Sequence, residues 1–240
     1  MTGRTGSPPR LTWSNEQLRI YDDFLPKNLA EELLQHVNDD RYVGVHKEEW
    51  EKVFRLGDGH PLHGTTTVYR PDRRYKRDER SRYPTGTSVD GFIDAVRELL
   101  SDAEELIGKA GTDWNAMITT PWVYAAGAAL STHRDAVRYR GAYAYFLHRQ
   151  WSFHWGGLLL VFDPSTPDPE ESELFPPWLS EEEESRFLEE PGLATCILPK
   201  PNRLVFLSPS AYHMVTRVDA NAGNRPRVSL AGFFLSAEAE

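Results

Sequence analysis

Cysteine is nearly absent: Cys196 stands alone in 240 residues, which excludes an intrachain disulfide and agrees with a reducing, cytoplasmic setting. It lies in the apolar run Ala194-Thr195-Cys196-Ile197-Leu198 with no histidine close by in sequence. It therefore reads as a small buried apolar side chain and not as a catalytic thiol. No apolar run approaches the ~20 residues of a membrane span, and the opening MTGRTGSPPR has basic residues but no apolar stretch behind them, unlike a secretory signal. Basic side chains are also in deficit, 27 Lys and Arg against 36 Asp and Glu for a net charge of -9. That balance argues against binding nucleic acid or an anionic membrane by bulk electrostatics.

Aromatic residues are plentiful, with seven Trp, ten Tyr and eleven Phe, and 40% of the chain is apolar. This is ample for a buried core, and the length suits one large domain. Residues 1–12, rich in Gly, Pro, Ser and Arg, are expected to form a flexible arm, and 13–240 a single domain. Ile20 to Leu25 reads as a short strand and turn. Leu29, Leu33, Leu34 and Val37 then recur at helical spacing, predicting an amphipathic helix from Pro26 or Asn28 to about Asn38. A second 3.6-residue stripe, Phe92, Val96, Leu99, Leu100, Ala103, Leu106 and Ile107, predicts one helix from Val89 to about Lys109, with Gly111 as its stop.

After that helix the pattern changes to short apolar runs bounded by Gly, Pro, Asn and Asp: Trp114 to Tyr124, Ala142 to Phe146, Gly157 to Phe162, Leu193 to Leu198, Arg203 to Leu207 and Val228 to Leu235. These read as strands. Helices followed by strands predict an α+β fold, an antiparallel barrel or sandwich with helices on one face. Two segments interrupt the plan. Tyr69 to Tyr83 holds seven basic side chains in fifteen positions and reads either as a solvated loop or as a lid placing arginines over an anionic substrate. Tyr-Arg interleaving also suits single-stranded nucleic acid, which the overall charge disfavours. Residues 164–191 carry prolines and the acidic run Glu181 to Glu184, predicting a surface insertion with one short helix from Ser180 to Glu190. It is read as a solvated face, or as a lid or docking element.

The chemistry centres on Ser131-Thr132-His133-Arg134-Asp135 and on His213. A His-x-Asp pair with a distant His supplies two imidazole nitrogens and one carboxylate, the set that holds non-haem Fe(II) by one face and leaves the opposite face open. On a strand, residues two apart share a face, so His133 and Asp135 are expected to point together and Arg134 away. Either histidine alone also reads as a hydrogen-bonded structural imidazole. His36, His46, His60, His63, His148 and His154 keep that structural reading.

The order of motifs adds to this. Tyr124, Gly127 and Leu130 precede His133 and Asp135; a strand ending Tyr145-Phe146-Leu147 follows. Next come Trp151 with Gly156-Gly157, the strand and turn leading to His213, and Arg227-Val228-Ser229 opening a last apolar strand. This series resembles the iron and 2-oxoglutarate dependent oxygenases of the prolyl-4-hydroxylase-like kind, over roughly Tyr21 to Phe234. The resemblance implies a double-stranded β-helix, or jelly roll, buttressed by the N-terminal helices. It implies Fe(II) on His133, Asp135 and His213, with 2-oxoglutarate as co-substrate, dioxygen consumed, and ascorbate as a reductant.

The co-substrate's far carboxylate needs a buried cation. Arg227, heading a strand and sharing a face with Ser229, is preferred to Arg225, which precedes Pro226. Tyr124 matches a tyrosine that often lines that pocket in the family, whereas the position of a second such tyrosine is Phe146 here. The implied reaction is decarboxylation of 2-oxoglutarate to succinate and carbon dioxide coupled to C–H hydroxylation. Because Asp135 is present, halogenation is not expected. The substrate is read first as a small molecule, such as an amino acid, its derivative or a natural-product intermediate. A peptidyl, prolyl-type substrate is the alternative, and a non-catalytic sensor of metal or 2-oxoglutarate is the reading from another class.

Overall fold

A computed structural model describes residues 8–47, 54–71, 81–135, 138–163, 184–185, 189 and 192–236. The first strands are β1 (Arg10–Ser14) and β2 (Leu18–Asp22), followed by α1 (Lys27–Asn38). The short strands β3 (Val43–Gly44), β4 (Leu62–His63), β5 (Thr67–Tyr69) and β6 (Ser81–Arg82) lead to α2 (Ser88–Glu98) and α3 (Leu100–Ile107). Then come β7 (Trp114–Tyr124), β8 (Leu130–His133), β9 (Tyr139–Phe146), β10 (Leu159–Phe162), β11 (Ala194–Ile197), β12 (Arg203–Leu207), β13 (His213–Val215) and β14 (Arg227–Ser236).

Among the described residues these strands form two sheets. The larger has ten, in the order β1-β2-β12-β9-β14-β7-β4-β3 with β5 and β6 attached beside β7; the smaller runs β11-β10-β13-β8. All pairings are antiparallel except β5 with β6. Mostly antiparallel sheet with three helices among the described residues is consistent with the expected jelly roll, and no helix among them is long and apolar enough to cross a membrane.

Alternation along the strands separates two cores. One apolar cluster joins Leu33 and Val37 of α1, Phe92 and Val96 of α2, and Ile107 of α3 to Tyr143, Tyr145, Phe206 and Phe234 on the large sheet. The other gathers Trp122, Tyr124, Phe146, Val205 and Leu207 with Leu159, Val161 and Val215 from the small sheet. That inner cluster is where side chains of both sheets meet.

The helix expected over 89–109 is two helices. The chain breaks at Leu99 (φ -99, ψ -4), yet Phe92, Val96, Leu99, Ala103, Leu106 and Ile107 all stay buried. It stops at Gly108, whose φ of 73 is open to glycine, and not at Gly111.

Residues 10–12, expected in the flexible arm, begin β1, which pairs antiparallel with β2; backbone hydrogen bonding holds a segment whose side chains are all exposed. Cys196 is also exposed and not buried. It sits on β11, which among the described residues has a single neighbour in the small sheet, and an apolar run does not reveal whether its strand lies at an edge. Most of the basic segment, 72–80, and most of the insertion, 164–183, 186–188 and 190–191, lie outside the described residues. Within the latter, Glu184, Ser185 and Glu189 are helical.

Candidate metal and co-substrate site

β8 and β13 lie side by side with His213 directly opposite His133, and the two ring centroids are 4.3 Å apart. Asp135 lies just past the end of β8 and not on it; its Oδ1 is still 3.9 Å from His133 Nε2. Arg134 between them is placed with its guanidinium over the Tyr212 ring, 5.5 Å away. One donor atom from each of His133, Asp135 and His213 falls within 4.8 Å of the others, and all three residues are buried.

Hydrogen bonding selects the tautomers. His133 Nδ1 lies 2.9 Å from the Ser131 carbonyl oxygen and His213 Nδ1 2.9 Å from that of Ala211. A carbonyl oxygen only accepts, so each Nδ1 carries the proton and each Nε2 keeps its lone pair for a ligand. Burial, with the neighbouring His213 imidazole, pushes His133 down to about 3, so it is neutral at ordinary pH. Burial pushes Asp135 up, opposed by His213, and its Oδ2 is buried with no hydrogen-bond partner. Left alone, that oxygen costs on the order of several kcal/mol. A cation among these donors removes the cost and draws the carboxylate back to its charged form.

The second constellation begins at the head of β14. Arg227 is 3% exposed and pairs across the sheet with Tyr124, while Ser229 pairs with Trp122 and with Phe146. Its guanidinium lies 5.3 Å from the Tyr124 ring centroid and 5.0 Å from that of Phe146. Nη1 donates to Ser229 Oγ at 3.3 Å, whereas Nε has no partner. Burial pulls the guanidinium down to about 10, against the pull of Tyr124. It stays charged at neutral pH, so a buried cation stands ready for an anion. Burial raises Tyr124, and Arg227 opposes this. Arg225 is exposed and rests on the Trp155 ring at 5.1 Å. Tyr143 and Tyr145 face the helices, in the outer cluster.

The Gly156-Gly157 pair has a steric reason. Trp151 Nε1 donates to the Gly156 carbonyl at 2.8 Å, and Gly157, at φ +64, lies so close to Arg227 that a Cβ there would come within 2.9 Å of Arg227 Cδ. The loop can close over the arginine only without a side chain at 157. Tyr124, Phe146 and Trp151 share the inner apolar cluster with Leu130 and Val215, which lie on the histidine-bearing strands.

Residues 120–235 match the model of the 2OG-Fe(II) oxygenase superfamily. Over that stretch, just under half of the chain, the sequence is that of a 2OG-Fe(II) oxygenase domain. Solved structures with similar folds include a prolyl-4-hydroxylase from Pseudomonas putida (19% identity, TM-score 0.56, 91% of this chain and 92% of that one). Others are a prolyl hydroxylase from Trichoplax adhaerens in complex with a hypoxia inducible factor peptide fragment (14%, 0.57, 92% and 84%) and a 2OG-Fe(II) oxygenase family oxidoreductase from Burkholderia pseudomallei (13%, 0.52, 96% and 97%). At these identities the likeness is one of fold. No curated protein matches the sequence. That superfamily uses Fe(II) and 2-oxoglutarate, and the orphaned Asp135 Oδ2 and the two Nε2 lone pairs fit such an ion.

Three contacts around the site had no signal in the sequence. Ser131 Oγ donates to Asp58 Oδ1 at 2.7 Å across 73 positions. His148, read as structural, lies buried between two carbonyl oxygens, that of Val228 at 3.2 Å and that of Pro199 at 2.7 Å. Arg55, near Asp58, pairs with Glu184 at 3.1 Å. Each joins segments far apart in the chain, which no local pattern encodes.

Proposed function

We propose that this oxygenase hydroxylates a C–H bond, with His133, Asp135 and His213 holding Fe(II) and Arg227, Ser229 and Tyr124 receiving 2-oxoglutarate. The observation that carries the reading is a pair of uncompensated buried charges in one interior: the Asp135 carboxylate, with an unpartnered oxygen, and the Arg227 guanidinium, with an unpartnered Nε. Each is costly by itself; a divalent cation answers the first and a dicarboxylate the second. When bound, the iron supplies the oxygen chemistry that couples decarboxylation of 2-oxoglutarate to attack on the substrate. The chain's own part is to present two Nε2 lone pairs and a carboxylate in fixed positions, to hold the co-substrate's far end on Arg227 and Ser229, and to keep water out with Tyr124, Phe146 and Trp151.

The three helices, whose apolar faces share a cluster with the large sheet, would support that sheet from outside, within a single domain spanning 13–240. All three proposed ligands are at most 8% exposed, which limits the reacting partner to a compact group. A small molecule, such as an amino acid or a derivative, is our first reading. One side chain of a peptide is the second, favoured by the prolyl hydroxylases of similar fold. Incubation with Fe(II), ascorbate and 2-oxoglutarate against panels of free amino acids and of proline-containing peptides, following succinate, separates the two. Co-substrate binding without oxygen-dependent turnover on any panel would instead point to a sensor.

A further inference from the structure

His133 owes its orientation to the Ser131 carbonyl, which accepts from its Nδ1 at 2.9 Å, and Ser131 is itself held. Its hydroxyl donates to Asp58 Oδ1 at 2.7 Å. We infer that Asp58 is a positioning residue for the iron centre, acting on His133 through Ser131; this rests on the ligand set proposed above.

Asp58 is fitted for the task by its own anchorage. It is 3% exposed, and its second carboxylate oxygen, Oδ2, accepts from the Arg55 backbone N–H at 2.9 Å. Its carbonyl accepts from Ala129 N at 2.8 Å, so the residue grips the chain both before and within β8. The loop is held on both sides of it: Arg217 Nη2 donates to the Gly57 carbonyl at 2.7 Å, the Phe54 ring lies 5.5 Å from that of Trp122, and His46 Nε2 lies 2.8 Å from the Gly59 carbonyl oxygen. A carboxylate makes a stronger, shorter bond to a hydroxyl than a neutral acceptor does. The rigid loop therefore fixes, through one charge-assisted bond, the residue whose carbonyl sets the ring. Partners one step removed from a metal typically change its affinity by about 10-fold to 100-fold when lost.

The test uses the metal-free full chain and Co(II), followed by equilibrium dialysis and by the visible absorption of the bound ion. Asp58→Ala and Ser131→Ala are each expected to weaken Co(II) binding about 10-fold or more and to alter its spectrum, while Ser131→Thr, which keeps the hydroxyl, stays within about twofold of wild type. The double variant should be no weaker than the worse single one, because both remove the same link. Unchanged Co(II) affinity and spectrum in Asp58→Ala, an additive double variant, or loss in Ser131→Thr equal to that in Ser131→Ala would each overturn the inference and leave the ligand assignment standing. If Asp58→Ala does not fold, the comparison of Ser131→Ala with Ser131→Thr decides. Wild type that binds Co(II) no better than His213→Ala would remove the ligand assignment as well.

Discussion

His213 stands directly across from His133 in the β8–β13 pair, each ring tied by Nδ1 to the carbonyl two residues before it. The two imidazoles are thus posed by identical local contacts. Substituting any one donor should therefore disable the centre. His133→Ala, Asp135→Ala and His213→Ala are each expected to cut succinate formation to the level measured without protein and to leave less than one bound metal per chain. Retention of stoichiometric Fe(II) by any of the three would remove that residue from the ligand set.

Arg227 is expected to act on co-substrate affinity and not on metal binding. Removing one partner of a buried charge pair costs about 2–5 kcal/mol, so Arg227→Ala should raise the 2-oxoglutarate KM about 30-fold or more while Co(II) affinity stays as in wild type. Titration with 2-oxoglutarate in the presence of metal reads this directly, and an unchanged KM would return the choice to Arg225 or to another cation.

Gly157→Ala tests the close approach over the arginine. The added Cβ would meet Arg227 Cδ at 2.9 Å, from a residue at φ +64. Strain of this kind costs about 1–3 kcal/mol, so the thermal midpoint should fall by several degrees and 2-oxoglutarate binding should weaken. Full co-substrate affinity in the variant would mean that the loop yields without moving the guanidinium.

Acid should destabilise the metal-free protein through His148. Burial is the main reason this imidazole is held at about 4, below its ordinary 6.5. Between those values the unfolded chain binds a proton that the folded chain does not, so stability rises with pH across the window and falls as pH drops from 6.5 towards 4. A depression of this size corresponds to about 3 kcal/mol. Urea unfolding of wild type and His148→Gln at pH 7 and pH 4.5 should show a smaller pH dependence in the variant. Equal dependence would assign the acid sensitivity to other groups.

Much of the architecture was legible along the chain because its signals are local. Trp114–Tyr124 and Arg203–Leu207 were bounded correctly from apolar runs and flanking turn residues, and the α1 stripe from its period. Motif order and two-residue spacing also travel with the sequence, so His133, Asp135 and His213 could be singled out together before the fold brought them within 4.8 Å, and Arg227 before the fold buried it at the head of β14.

Other features depend on what lies across from a residue, and only the folded chain decides them. Cys196 is exposed on β11, which has one neighbour among the described residues, and Arg10 to Ser14 is ordered because β2 offers it an edge. Asp58 meets Ser131, and Gly157 meets Arg227, through contacts between distant segments. Composition and periodicity specify which face of an element is apolar; register and long-range packing specify what that face touches. The residue types able to hold iron and a dicarboxylate were therefore determined by sequence, whereas their convergence, their tautomers and the support behind them were determined by tertiary structure.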